Sequence, residues 1–392
     1  MSPLGRISWM GQVDAVLASV SDMLYSWGLM WLLIGAGIFF TVRTRGVQVR
    51  HTDAIAASVI GSRDGSHGGI TSFQAFAVGL ACRVGTGNIV GVALALILGG
   101  PGAVLWMWLV AILGTATAFS EATLAQLFKV RRPDGTFRGG PAYYISRGLG
   151  LPILGGVFAV VFLIANGLVM PMVQANAITA SLQGAGGLSP SLGAVLVVAL
   201  TAPVLLGGLR AMARVAEYLA PFMALAYLVL VLAILLTHPV QALEAVRSII
   251  EGAFGLRQGL GGLAGGVTAA LLNGVRRGLF SNEAGLGGAA CAAGSATVSH
   301  PVQQGFIQAF GVVVDTLFVC TATALAILVA GADVLHPGAS AKESAGTLTQ
   351  DAIAHLVGEW SRWPMALLVV VLAYTTIIGA FSYAQVCLDY LT

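Results

Sequence analysis

Apolar stretches of about 20 residues recur along almost the whole of this chain, and that recurrence restricts its fold more than any single motif does. A run of that length crosses a bilayer core as a helix, because lipid leaves no water to satisfy an exposed backbone. Composition agrees: 57% of residues are hydrophobic, 9% are charged and mean hydropathy is +0.89, values that exclude a water-facing surface for 392 residues. Nine spans are expected, at about 24–42, 72–98, 103–128, 151–172, 192–209, 218–237, 263–293, 306–329 and 364–391. The first comes late and lacks a basic leader and a small-residue cleavage site, so it reads as a span and not as a signal peptide.

Lysine and arginine test that count independently. Arg43, Arg45, Arg50 and Arg63 follow the first span, Lys129, Arg131, Arg132, Arg138 and Arg147 the third, and Arg210 and Arg214 the fifth. The loops between carry only Arg247, Arg257, Lys342 and Arg362. The alternation predicts a multi-pass inner-membrane protein with its N-terminus outside and its C-terminus cytoplasmic. Cys82, Cys291, Cys320 and Cys387 lie inside apolar segments without CxxC or metal-site spacing, and read as small packing residues. Neither GxSxG nor HExxH occurs and no histidine has a neighbour at ligand spacing, so an enzyme reading lacks its catalytic group.

Two segments depart from ordinary lipid-facing helices. The first, Ala81-Cys82-Arg83-Val84-Gly85-Thr86-Gly87-Asn88-Ile89-Val90-Gly91, lies in the middle of the second span. Glycine costs about 1 kcal/mol against alanine in a helix, and a charge at the bilayer centre at least about 2.5–3.5 kcal/mol. A helix broken at Gly85 and Gly87 compensates by exposing free carbonyls, which suit a cation, and free N–H groups, which suit a carboxylate. The second segment, Asn273 to Gly287, contains Arg276, Arg277, Phe280-Ser281-Asn282-Glu283 and three glycines after Gly274. Matched interruptions in oppositely directed spans indicate an inverted-repeat transporter.

Plainer readings stand beside these. Gly87 and Gly91 form a GxxxG pattern that serves close helix packing. Arg276, Arg277 and Glu283 form either a structural ion pair or a gate, and Glu121 snorkels or pairs at the inner end of the third span. Asp315 is a deeper candidate for a structural or ion-pathway role.

The residues resemble the alanine/glycine:cation symporter family, also called sodium:alanine symporters. The resemblance rests on Arg83-Val-Gly-Thr-Gly-Asn-Ile-Val-Gly-Val-Ala-Leu-Ala, Leu98-Gly-Gly-Pro-Gly-Ala103 with Trp106-Met-Trp108, and Arg138-Gly-Gly-Pro-Ala-Tyr-Tyr144. It continues through Val173-Gln-Ala-Asn176, Ala213-Arg-Val-Ala-Glu217, Gly278-Leu-Phe-Ser-Asn-Glu-Ala-Gly-Leu-Gly287, His300-Pro-Val-Gln-Gln-Gly305 and Asp315-Thr-Leu-Phe-Val-Cys320.

The resemblance implies an all-α, leucine-transporter-type inverted-repeat fold with an extra leading helix, and sodium-coupled uptake of alanine or glycine without any further cofactor. It divides the chain into a leading helix and basic connector (1–50), a first five-helix repeat (51–237) and a second repeat (238–392) with three spans, two fewer than the family carries. It puts the amino-acid carboxylate at Thr86 and Gly87, beside Gln174, Phe280, Ser281 and Asn282, with Asn88 serving either ligand. Sodium is expected at the carbonyls of Ala81 and Val84 and the hydroxyls of Thr375 and Thr376. Among these ligands no carboxylate titrates, which favours sodium over proton coupling.

Two departures bear on selectivity. Ala380 stands where the family has tryptophan, which enlarges the pocket unless Phe381 fills it, and Ala384-Gln385-Val386 replaces Gly-Glu-Arg. The short C-terminal end leaves a non-transporting ligand-binding protein as the alternative, with a channel as a weaker one. The 129–149 loop, turning at Asp134-Gly135, is expected as a cytoplasmic element, and 332–363 as an outside loop with a short surface helix.

Overall fold

Helices make up nearly all the regular structure, because a chain dissolved in lipid must satisfy its backbone within each segment. The computed structural model describes residues 15–21, 23–60, 69–255, 263–335 and 345–392; Arg63, Arg257, Lys342 and the 336–344 part of the expected outer loop lie outside the described residues. Helix α1 (Met30–Arg43) follows a wide turn at Leu24–Leu29. Helices α2 (Ser72–Arg83) and α3 (Val90–Gly99) bend by 49° about a tight turn at Thr86–Asn88. Then come α4 (Ala103–Leu127), strands β1 (Val130–Arg131) and β2 (Phe137–Arg138), α5 (Pro141–Gly148), α6 (Pro152–Gly186), α7 (Pro190–Leu206), α8 (Gly208–Thr237) and α9 (Pro239–Ala253). The rest is α10 (Leu263–Asn282), α11 (Gly288–Gly294), α12 (Pro301–Asp333), α13 (Leu348–Val357) and α14 (Arg362–Leu391).

Among the described residues, five helices are long and apolar enough to cross a membrane, six with the bent α2–α3 pair. Helices α1, α7 and α10 stand at the first, fifth and seventh expected positions; the first two are shorter apolar helices, and α10 carries Arg276 and Arg277. Burial separates the centre from the rim. The most apolar part of the last long helix, which contains α14, is 72% buried, whereas that of α6 is 17% buried and offers lipid a row of Val, Ile and Leu.

Several boundaries differ from expectation for identifiable reasons. Helix α6 runs on to Gly186 because its polar Gln174 is buried among partners instead of ending the span. Helix α8 begins ten residues before 218, at Gly208, whose φ of 70° makes the corner, so Arg210 and Arg214 sit in its first turns and not in a loop. The expected surface helix within 332–363 is α13, but it is packed inward, with Leu348, Thr349, Gln350 and Ile353 buried. Its Gln350 donates to Ser181 Oγ at 2.7 Å and Thr349 to the Ile89 carbonyl at 3.4 Å, which secures it over the first helix break. Helix α9, absent from the sequence reading, buries Ala245, Ile249 and Ala253 along one face.

The 129–149 loop is a hairpin. Val130 pairs with Arg138 and Arg131 with Phe137, and Gly135 turns at φ 78°. Hydrogen bonds from the Thr136 hydroxyl (2.7 Å) and amide (2.9 Å) hold the Asp134 carboxyl below the usual carboxylate range. Arg138 pairs with Asp389 at 2.5 Å and Arg132 at 3.7 Å, which ties the hairpin to the end of α14.

Candidate functional site

The polar centre forms where the two interrupted helices meet. Thr71 opens α2 with a capping box: its hydroxyl accepts from the Gln74 amide at 3.1 Å and Gln74 Oε1 accepts from the Thr71 amide at 3.0 Å. The helix ends at Arg83 because Gly85 turns to an extended conformation (φ −135°, ψ −152°). Only glycine fits there, since a Cβ would clash with the Thr376 hydroxyl of α14. Asn88 then stabilises the break by accepting from the Gly85 amide at 3.0 Å. Among the described residues the amides of Thr86 and Gly87 have no acceptor and the Val84 carbonyl has no donor.

Opposite lies the end of α10. A Cβ on Gly87 would stand 3.6 Å from the Phe280 ring and 3.9 Å from the Ser281 Cα, so the first break faces these two residues. Thr86 Oγ1 donates to Gln174 Oε1 of α6 at 3.0 Å. Thr86, Gly87, Gln174, Phe280 and Ser281 are thus gathered, with Phe280 the half-exposed member and Thr86, Gln174 and Ser281 buried. The GxxxG reading of Gly87 and Gly91 does not hold, as a Cβ on Gly91 would touch nothing within 4 Å. That packing role belongs to Gly274 and Gly278, which let α10 lie against Ala103 and Met107 of α4.

Asn282 is turned away from this group. Its Oδ1 accepts from the Ala284 amide at 3.0 Å and its carbonyl accepts from Arg83 Nε at 2.9 Å, so it stabilises the second break. Of the expected sodium ligands, Thr376 Oγ1 donates to the Ala81 carbonyl at 2.8 Å, which brings α14 and the end of α2 together. Thr375 Oγ1 donates to Leu372 of its own helix at 2.9 Å, and Val84 lies at the turn itself. Ala380 is buried in the hydrophobic cluster that includes Ala77, Ala81 and the large Tyr383 ring. Phe381 does not fill its space: it lines a lateral groove of about 720 Å³ with Leu205, Met212 and Leu388.

The second break runs from Glu283 to Gly287, with left-handed φ at Glu283 (53°), Gly285 (89°) and Gly287 (89°). Glu121 does not snorkel: it is buried and accepts from the Gly285 amide at 3.4 Å. Glu283 faces Gly288 and Tyr383, not α10's two arginines; Arg276 instead approaches the Tyr25 ring at 5.9 Å.

Sequence reasoning named Arg83 and, for a structural or ion-pathway role, Asp315, but it missed Gln308 and the partners that the two charged groups meet. Arg83 is fully buried and donates from Nη1 to the Gln308 carbonyl and Oε1, both at 3.1 Å. Asp315 accepts from Asn88 Nδ2 at 2.5 Å, Ser281 Oγ at 2.9 Å and Thr316 Oγ1 at 2.7 Å. The signal was a polar stripe at helical spacing, Gln304, Gln308 and Asp315, in an otherwise apolar α12.

An apolar, all-helical bundle whose buried polar centre sits at two helix interruptions is a polytopic membrane protein of the transporter class. The chain belongs to the sodium:alanine symporter family, whose model matches residues 10–392. It is 39% identical over 381 residues to a probable sodium/glutamine symporter of Bacillus subtilis, covering 97% of this chain and 78% of that protein. An amino-acid carrier protein of Bacillus subtilis is 40% identical over 372 residues (95% and 77% covered). A sodium/alanine symporter of Methanococcus maripaludis is 37% identical over 381 residues (94% and 82% covered). The family is one of sodium-coupled amino-acid symporters, and the substrates named differ between relatives.

Proposed function

We propose that this chain carries a small neutral amino acid, alanine or glycine, into the cell with sodium by alternating access, in a leucine-transporter-type arrangement of nine spans with an outside N-terminus. The reading assigns the first five-helix repeat to 51–237 and the start of the second to 238–392. What supports it most is the pair of amides at Thr86 and Gly87 without an acceptor, facing Phe280 and Ser281 and flanked by Gln174. A zwitterion leaving water needs fixed dipoles of both signs, which a helix break supplies within one turn. The amides take the carboxylate, Gln174 and Ser281 orient the ammonium, and Phe280 limits the side chain.

Sodium binds between the carbonyls of Ala81 and Val84 and the hydroxyls of Thr375 and Thr376. The Thr376–Ala81 hydrogen bond supports this, because an ion there replaces a contact that already joins α14 to the broken α2. Sodium then stabilises the geometry that presents the two amides, a coupling of about 1–3 kcal/mol. The glutamine named for one relative, and the small Ala380, add glutamine to the substrates worth testing.

Uptake of labelled alanine, glycine and glutamine into proteoliposomes, with and without an inward sodium gradient, tests this beside equilibrium binding in detergent. Gradient-driven accumulation of alanine or glycine is the expected result. Binding with no accumulation under any gradient would replace the symporter with a ligand-binding protein.

A further inference from the structure

We propose that Asp315 is a second cation-accepting group of the transport cycle, taking a proton or a sodium ion, and that its charge state sets the positions of Asn88 and Ser281. The proposal rests on the reading above in treating these two residues as part of the amino-acid site.

The geometry comes first. Asp315 is fully buried in α12, yet its carboxylate receives one donor from each interrupted helix: Asn88 Nδ2 from the first break and Ser281 Oγ from the end of α10. Thr316 Oγ1 supplies a third. The Cys320 thiol of the same helix also meets Asn88 Nδ2 (3.3 Å) and Ser281 Oγ (3.2 Å), but among the described residues Asp315 is the carboxylate that joins the two interruptions.

Electrostatics then asks for a cation. The buried centre holds three carboxyl groups, Glu121, Glu283 and Asp315, and one guanidinium, Arg83. Arg83 spends its hydrogen bonds on Asn282 and Gln308 and reaches none of the three carboxyls with one. The groups whose charge or titration bears on Asp315 are Arg83 on α2, Glu283 at the second break and the Cys320 thiol on its own helix. Behind them stand Glu121 of α4, which acts on Glu283, and Tyr227 of α8, which acts on Cys320. Arg83 acts on these carboxyls through space and without a hydrogen bond, so one guanidinium is shared among three buried acids, and a bound cation lowers the cost of keeping Asp315 charged.

The chemistry fits either source. A sodium ion finds hard oxygens in the carboxylate and in the Ser281 and Thr316 hydroxyls. A proton, taken from the outer solution and released to the cytoplasm, converts the carboxylate to an acid whose O–H must itself donate. The Ser281 or Thr316 hydroxyl, either of which can turn from donor to acceptor, then has to accept that hydrogen bond, and Ser281 belongs to the amino-acid site together with Asn88. This group shares no ligand with the site at Ala81, Val84, Thr375 and Thr376.

The test is the thermal unfolding of the purified full chain in detergent without amino acid, across sodium concentration and pH, for the wild type and Asp315→Asn. The sodium arm expects the wild type to respond with the slope of two ions and Asp315→Asn with that of one. The proton arm expects acid-side stabilisation in the wild type that Asp315→Asn lacks. Identical sodium slope and pH profile in the two proteins overturn the proposal. If Asp315→Asn does not fold, Thr316→Val keeps the carboxylate and removes one donor; it must shift the sodium or pH midpoint by roughly tenfold, the effect of one hydrogen bond to a charge. An unmoved midpoint is again fatal. Alanine uptake, measured separately, keeps the two readings apart: cation responses that need Asp315 without uptake sink only the symport reading, and uptake with unchanged responses in Asp315→Asn sinks only this one.

Discussion

The two helix interruptions are finished in opposite ways. At Glu283–Gly287 the protein satisfies its own backbone: Asn282 accepts from Ala284, Glu121 from Gly285, and Arg83 holds the Asn282 carbonyl. At Val84–Asn88 the amides of Thr86 and Gly87 are left without acceptors among the described residues, and only the flanks are tied down, by Asn88 and by Thr376. A self-satisfied break is a structural corner, whereas one that leaves donors aimed inward is built to receive something.

Breaking this contrast is most direct at Gly85. Gly85→Ala drives a Cβ into the Thr376 hydroxyl, so we expect uptake to fall below detection and stability to drop by about 1–3 kcal/mol. Gly91→Ala, where a Cβ meets nothing, is the control that should match the wild type in both assays. Near-normal uptake by Gly85→Ala would mean that the first break tolerates rearrangement.

Arg83→Gln should come next. It removes a buried cation that joins the breaks through Asn282 and Gln308, at about 1.5–3 kcal/mol for each hydrogen bond to the charge that is lost. Chemical denaturation in detergent reads the loss, and a change within about 0.5 kcal/mol would show that α2 and α12 do not depend on it.

Smaller effects separate ligand groups from scaffold. Thr86→Val leaves buried Gln174 without its donor and should weaken amino-acid binding about tenfold, as one buried unsatisfied acceptor costs about 1–3 kcal/mol. Thr376→Ala should raise the sodium requirement by a similar factor, and more than Thr375→Ala: both hydroxyls reach the Leu372 carbonyl of their own helix, but that of Thr376 also reaches Ala81 across to α2. The reverse order in sodium titrations of uptake would move the ion away from Thr376. Glu121→Gln should do least, since the neutral amide still offers Gly285 an acceptor; binding changes within about threefold are expected.

Much of this was legible along the chain. Apolar runs located most of the long helices, and the glycines with Arg83 and Asn88 marked the first break within a residue or two. The turn at Asp134-Gly135 followed from turn chemistry, but the strand pair that it joins did not. The inward packing of α13 was not legible, because a short polar helix looks the same whether its buried face meets solvent or Ile89 and Ser181. Glu121 was misplaced for a related reason: position in a span tells depth, not the direction in which a side chain points.

The sequence by itself determined the solvent of this protein, the places where helices had to stop and the family to which it belongs, since hydropathy, glycine and motif order are local properties. Only the tertiary structure decided which polar groups meet. Asn88 and Asp315 stand 227 positions apart and Arg83 and Gln308 225, and nothing in either neighbourhood selects its partner. That selection comes from packing α2, α10 and α12 around one buried centre, where each polar atom must find a partner among the few that the packing brings within reach.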